Sequence, residues 1–303
     1  MKEPGRILVI GSANADYVIH SNKVPVLGET LTGTDFAVNP GGKGLNQAVA
    51  ICKLGGQAVF IGAVGKDANG QLLCDVFTDH NIPFRGFQLE NTSTGIAMIT
   101  VVNGDNFILL HEGANRELTP ERIQSVADEI RNAEYLVLQL EIPVESVLAA
   151  CEIAQAAETK VILNPAPFKR LPESLLAKID YLIPNEHEAR DLLGFLPDSE
   201  ESCVRAVQEL LKMGVKNAII TLGARGCVYN TGADIRFTPA VSVKAVDTTS
   251  AGDSFIGALV TQLSQGKNLD DAIRFATHVA AITVSRPGAA RSIPRISELE
   301  ATL

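Results

Sequence analysis

Short aliphatic and β-branched runs alternate along the chain with longer stretches of helical period. Contiguous apolar residues in Ile7–Ile10, Val59–Val64, Leu136–Leu140, Val161–Leu163, Tyr181–Ile183 and Ala218–Thr221 predict strands. Between them, Glu121–Arg131, Pro143–Ala157 and Glu200–Met213 place apolar residues at helical spacing. Such alternation predicts an α/β fold, a mainly parallel sheet covered by helices on both faces, with ligands gathering at the carboxyl ends of its strands. Two regions break the rhythm. Residues 16–39 and 92–111 are rich in strand and turn residues, and Asn103-Gly104-Asp105 suits a hairpin turn. Their similar character predicts one small sheet lying over the main body, the alternative being two unrelated edge hairpins. No repeat, low-complexity segment or long linker appears, so 1–303 is expected to form one domain.

Composition narrows the partners. The chain has 303 residues, 46% of them hydrophobic, enough for a sizeable core. A net charge of −9 argues against a nucleic-acid or anionic membrane partner, while leaving a small phosphorylated ligand open. Cys52, Cys74, Cys151, Cys203 and Cys227 show no metal-like spacing and are expected to be reduced thiols. The start outlines a signal peptide crudely, but its apolar patch, Ile7–Ile10, is far shorter than such a segment needs. With no apolar run near membrane-spanning length, a soluble cytoplasmic protein is expected.

Candidate chemistry concentrates in "DTTSAGDSFIGALVTQLSQG", residues 247–266. From Phe255 the apolar positions share one helical face, and Gly266 is a natural stop. Small residues precede this helix and Asp253 falls in its first turn. The free N–H groups there suit an anion, and a carboxylate beside them can accept a proton from an attacking hydroxyl. An acidic residue favouring a helix N-terminus explains Asp253 equally well at this stage. "NPGGKGLNQA", residues 39–48, invites a phosphate-loop reading, but neither it nor "GAVGKD" has the spacing G-x-x-x-x-G-K-[ST]. The dinucleotide fingerprint is also missing after the first strand, where "VIGSANAD" stands. The glycines do offer bare backbone beside Lys43 and Asn46, a surface suited to a polyhydroxy ligand or a phosphate. Further polar residues, Asn14, Asp16, Glu141, Asn185, Glu186, Glu188 and "TLGARG" (221–226), follow other predicted strands.

Together, "GSANAD", "GGKGLNQA", "NPAP", "PNEHE", "TLGARG", "DTTSAGDSF" and "GAARSIP" resemble the ribokinase family of ATP-dependent carbohydrate kinases over nearly the whole chain. The resemblance implies a three-layer α/β/α fold with a β-sheet lid formed by 16–39 and 92–111, which in this family commonly also makes a homodimer contact. It implies that Asp253 is the catalytic base and that Thr249, Ser250, Ala251 and Gly252 form the anion hole. Asn14, Asp16, Gly42, Lys43, Asn46 and Glu141, with Asp253, match the sugar-binding set. Asn185 matches a phosphate-organising position, and Glu188 one that holds Mg²⁺ through water. Thr221, Leu222, Gly223, Ala224, Arg225 and Gly226 match an ATP-binding loop, joined by Gly252 and Asp253. Asp247, Thr249, Thr283, Arg286, Gly288 and Ser292 match positions around K⁺. Two departures stand out. Ser250 replaces the family's usual Gly or Ala and is expected to need a backbone without positive φ. Thr277-His278 stands where the family often carries another polar pair at the adenine. Through the same resemblance, in which this asparagine is associated with hydroxyls including the 2-position, Asn14 implies ribose, phosphorylated at its 5-hydroxyl, ahead of deoxyribose, fructose or a nucleoside. A non-catalytic sensor is opposed by the presence of Gly252 and Asp253, and an oxidoreductase by the missing fingerprint.

Overall fold

A computed structural model of the chain describes residues 3, 5–102 and 105–300. The strands are β1 (Arg6–Ile10), β2 (Asn14–Ser21), β3 (Asp35–Gly41), β4 (Gln57–Ile61), β5 (Ala63–Gly65), β6 (Phe87–Leu89), β7 (Gly95–Val102), β8 (Asp105–His111), β9 (Tyr135–Leu138), β10 (Lys160–Leu163), β11 (Tyr181–Leu182), β12 (Asn217–Thr221), β13 (Cys227–Thr231) and β14 (Asp234–Thr238). Eight of them form the main sheet in the order β14-β13-β12-β11-β10-β9-β1-β4. It is parallel from β4 through β12 and antiparallel across β12-β13-β14.

The strand alternation builds two cores. Leu8, Ile10, Leu136 and Leu138 face Ile123, Val147, Ala206 and Leu210 on one side of the sheet. Ile7, Val9, Tyr135 and Val137 face Leu45, Val49, Ile256, Leu259 and Ile273 on the other. Period-two alternation in strands that are apolar throughout therefore sorts side chains into a three-layer α/β/α arrangement.

The two regions of unusual pattern pair with each other. They form a four-stranded sheet of order β3-β2-β7-β8, in which β2 runs parallel to β7 and the outer pairs are antiparallel. Asn103 and Gly104, expected at the turn before β8, lie outside the described residues. Only Gly11–Ala13 separate β1 from β2, so the carboxyl end of a central strand runs directly into this smaller sheet.

Some predicted elements differ in extent. The run Val59–Val64 is broken at Gly62, whose carbonyl accepts from the Phe87 amide at 2.9 Å, and the chain leaves the main sheet to pair β5 with β6. Glu121–Arg131 is two short helices, Pro120–Ser125 and Ala127–Asn132, separated by Val126 at φ −111°. The antiparallel β13-β14 hairpin was not among the expected strands. Its turn is marked by Gly232 at φ +61°, a conformation glycine adopts readily.

Two helices dominate the site, Lys43–Lys53 and Ala251–Ser264. They cross closely because Gly257 has no side chain: a Cβ there would stand 2.4 Å from Ala50 Cβ. Asn46 and Asp253 each lie one turn N-terminal to that crossing, which brings the two helix N-termini together.

Candidate active site

Asp253 sits where the two helices meet, 6% exposed. Its Oδ2 accepts from Asn46 Nδ2 at 3.1 Å and its Oδ1 from Gln47 Nε2 at 2.9 Å. Gln47 Oε1 accepts in turn from Gln139 Nε2 at 2.7 Å. Burial pushes the Asp253 carboxyl up, against the opposing pull of Lys43, Gln47 and Asn46. For half-buried Lys43, burial acts downward, but Asp253, Glu141 and Glu188 outweigh it and hold the ammonium above its ordinary value.

On one side of Asp253 lies a cluster at the junction of the two sheets. Glu141 Oε2 accepts from the Ser12 hydroxyl, from the Lys43 amide at 3.1 Å and from Asn14 Nδ2 at 3.4 Å. A carboxylate at the first turn of the Lys43–Lys53 helix is favourably placed for the dipole. Asp16 packs against Gly41, where a Cβ would stand 2.1 Å from Asp16 Oδ2. Burial, then Glu141 and Asp253, push the Asp16 carboxyl up to about 7. Gly42, at φ +89°, brings its backbone so close that a Cβ would lie 2.8 Å from the Asn14 amide nitrogen. Asn14 and Glu141 line a cavity of about 370 Å³, with His111, Asn115 and Lys169 on its wall.

A larger cavity of about 730 Å³ opens on the other side of Asp253. Lys43, Asn185, Glu188, Thr221, Gly223, Ala224, Gly226 and the run Ser250–Asp253 line it. Asn185 caps the helix Glu186–Leu193 in a capping box with Glu188: Asn185 Oδ1 accepts from the Glu188 amide, and Glu188 Oε2 from the Asn185 amide, both at 2.8 Å. The 221–226 loop turns tightly through Gly223 at φ +56° and Gly226 at φ +94°. Leu222 points into the core, and Arg225 is turned away to donate to Glu186 Oε2 and to the Pro197 and Asp198 carbonyls. Neither lines the cavity. Thr277 lines the wall and His278 does not. Around Gly252 nothing stands within 4 Å of a Cβ position, so the N-terminus of the fourteen-residue helix is bare toward the cavity.

Ser250 corrects an expectation. Its backbone is left-handed, φ +61° and ψ 11°, rather than avoiding positive φ. The serine is tolerated because the turn must reverse there to present the following N–H groups, at a cost of roughly 1–2 kcal/mol for a residue with a Cβ.

Beyond this cavity, Asp247 joins two loops by accepting from the Thr249 amide and the Gly288 amide, both at 2.9 Å. Burial acts upward on its carboxyl, but these hydrogen bonds outweigh it and hold it below the usual range. Thr283 is buried in the helix Leu269–Val284, its hydroxyl donating to Val279 O at 3.0 Å. Arg286 pairs with Glu298 at 2.9 Å, and the Ser292 hydroxyl donates to Ala289 O at 2.8 Å.

Four polar residues absent from the sequence expectations take part: Ser12, Gln47, Asn115 and Gln139. Gln47 adjoins Asn46 inside "GGKGLNQA", and Gln139 and Ser12 adjoin Glu141 and Asn14 within two residues. Proximity to a flagged residue was the available signal for these three, and Asn115 had none.

A buried carboxylate on the wall of a cavity of about 730 Å³, under a bare helix N-terminus and beside the Asp16–Glu141 cluster, forms a site suited to moving a phosphoryl group onto a hydroxyl. Residues 5–296 match the pfkB family of carbohydrate kinases, and the chain belongs to that family. It is 38% identical to a ribokinase of Lactococcus lactis subsp. lactis, over 98% of this chain and 97% of that one. A deoxyribokinase of Salmonella typhi is 35% identical over 96% of each. Among solved structures, Arabidopsis thaliana ribokinase complexed with ribose and ATP superposes with a TM-score of 0.92, at 31% identity, covering 99% of this chain and 98% of that one.

Proposed function

We propose that this chain is an ATP-dependent ribose kinase that transfers the γ-phosphoryl group to the 5-hydroxyl of D-ribose, giving ribose 5-phosphate and ADP. The observation that carries this reading is the place of Asp253, between the polar cluster of Asp16, Asn46 and Glu141 and a nucleotide-sized cavity. Its raised carboxyl is still an acid weak enough, when ionised, to take the proton of the attacking hydroxyl. Asn14, Asp16, Gly42, Lys43, Asn46 and Glu141 hold the sugar; two carboxylates and two amides match the alternating donors and acceptors of a pentose. The turn Thr249–Gly252 forms the anion hole: the Thr249 N–H is held by Asp247 and fixes the turn, Ser250, Ala251 and Gly252 face the cavity, and the bare Gly252 leaves room for the phosphoryl oxygens. Asn185, Thr221, Gly223, Ala224 and Gly226 bound the nucleotide, largely through backbone, while Leu222 and Arg225 anchor the loop from behind.

Mg²⁺ fits the site as a metal carried by the phosphates. No group of three acidic, His or Cys residues able to hold a metal occurs among the described residues, and both Glu188 oxygens already accept from Asn185. Glu188 therefore orients metal-bound water. Mg²⁺ supplies neutralisation of phosphate charge when bound. The Asp247 bridge between the 247–249 and 283–292 segments suits a K⁺ held chiefly by carbonyls, next to the anion hole. The small sheet acts as a lid over the sugar, and its exposed Phe36, Ile108, Leu109 and Leu110 suit a homodimer contact. Five free cysteines suit the reducing cytoplasm. No described helix is long and apolar enough to cross a membrane.

The test is ADP release with D-ribose, 2-deoxy-D-ribose, D-fructose and a nucleoside, each with and without K⁺. Ribose should give the highest kcat/KM, and replacing K⁺ by Na⁺ or Li⁺ should lower it. Fructose or a nucleoside winning would overturn the ribose reading, and equal rates in all three salts would remove the cation site.

A further inference from the structure

Asn115 lies in the short 3₁₀ segment Gly113–Glu117, far in sequence from every motif of the site, and is 1% exposed. Its amide orientation is fixed by the backbone: the Ala13 N–H donates to Asn115 Oδ1 at 3.0 Å, so that end of the amide is the oxygen. The other end, Nδ2, donates to Asn14 Oδ1 at 2.7 Å and to Ala13 O at 3.3 Å. Asn14, 4% exposed, thus has its oxygen engaged, and its Nδ2 faces Glu141 Oε2 at 3.4 Å on the wall of the smaller cavity. Turning the Asn14 amide over would set NH₂ against NH₂ at Asn115 and oxygen against the Glu141 carboxylate. Both contacts are repulsive. The pair is also confined by Gly95, where a Cβ would stand 2.3 Å from both Asn115 Nδ2 and Asn14 Oδ1.

We infer that Asn115 is a positioning residue that locks Asn14 as a hydrogen-bond donor toward the sugar, and so sets the preference for a pentose bearing a hydroxyl at that point. This rests on the ribose reading above. The locked amide offers the sugar N–H only, so it recognises a hydroxyl oxygen as acceptor, while that hydroxyl's own proton goes to a neighbouring carboxylate. A sugar lacking the hydroxyl leaves a buried N–H with only the long contact to Glu141, and the site rejects it for that reason.

Asn115→Asp tests the lock. The new carboxylate still accepts from the Ala13 N–H, but it presents oxygen to Asn14 Oδ1 and drives the Asn14 amide to turn over. Ribose KM should rise roughly 10–100-fold, with kcat falling far less, while KM for 2-deoxyribose rises only about 2–5-fold, so that the ribose preference collapses. Asn115→Ser, which removes the donor to Asn14 without adding charge, should narrow the preference in the same direction and covers the case in which the aspartate variant fails to fold. Thermal unfolding and ATP affinity serve as controls for each. A wild-type protein indifferent to the 2-hydroxyl would overturn the ribose reading itself. A wild-type protein that prefers ribose, with folded variants losing both sugars equally or keeping the ratio, would overturn the assignment of Asn115 alone.

Discussion

Asp16 carries a cost that is readable in stability. Burial, reinforced by Glu141 and Asp253, moves its carboxyl from 3.8 up to about 7. The folded value lies above the unfolded one, so the folded protein holds the extra proton across that window. The stability contributed by protonated Asp16 is full below about pH 4, is lost as pH rises through about 7, and is constant beyond. Between pH 5 and pH 8 the loss is at most about 3 kcal/mol, taking 1.36 kcal/mol per pKa unit. The residual exposure of Asp16 reduces it to roughly 1–3 kcal/mol. Asp16→Asn puts a neutral amide of the same shape against Gly41. In scanning calorimetry without ligands, the variant's Tm relative to wild type should therefore rise by roughly 2–5 °C between pH 5 and pH 8. Ribose binding should be weakened most at pH 8, where wild-type Asp16 is ionised and the amide no longer accepts two hydroxyl protons as the carboxylate does. A Tm difference that is the same at both pH values, or that moves the other way, would refute a raised Asp16 carboxyl and the charge crowding behind it.

Ser250→Gly should stabilise the protein by roughly 0.5–1 kcal/mol in urea unfolding, because glycine adopts the left-handed conformation without the Cβ penalty yet loses more chain entropy on folding. A destabilised variant would mean that side-chain contacts hold that turn. Gly257→Val should force the two site helices apart, costing roughly 1–3 kcal/mol in stability and lowering kcat on the order of 100-fold; wild-type turnover would separate the helix crossing from the position of Asp253. Gln47→Met removes a donor that holds the Asp253 carboxyl down, so kcat should fall roughly 10–100-fold and the acid limb of the pH–rate profile should move to higher pH. An unmoved acid limb would show that Asp253 is not the group titrating.

The main sheet was legible because its central strands are apolar on both faces, and Ile7–Ile10 or Val161–Leu163 can be little else between helical stretches. The kink at Gly62 and the break at Val126 were not, since both follow from hydrogen bonds and packing with distant segments rather than from local propensity. The candidate site was legible where motifs are local: "GGKGLNQA" and "TTSAGD" each hold their candidate groups within about one turn. Its supporting hydrogen bonds were not. Gln139 meets Gln47 across 92 positions and Asn115 meets Asn14 across 101, and a lone polar residue gives no sign of such a partner. Gly41, Gly95 and Gly257 are similar cases. Each serves by leaving space for a neighbour that is near only after folding. Ser250 shows the opposite error, where a steric rule sound in general yields to the need for a tight turn at the helix N-terminus.

The measurement closest to the centre of the proposal is ribose-dependent ADP release by Asp253→Asn, paired with calorimetric ribose binding to the same variant. Asparagine keeps the size of the side chain and its burial, and removes the charge and the proton acceptor, at the cost of setting its NH₂ against the donor of Asn46 or Gln47. Ribose affinity should stay within about tenfold of wild type while kcat falls roughly 10²–10⁴-fold, the range for loss of a general base. Turnover comparable to wild type, in a variant that still binds ribose, would place the base elsewhere.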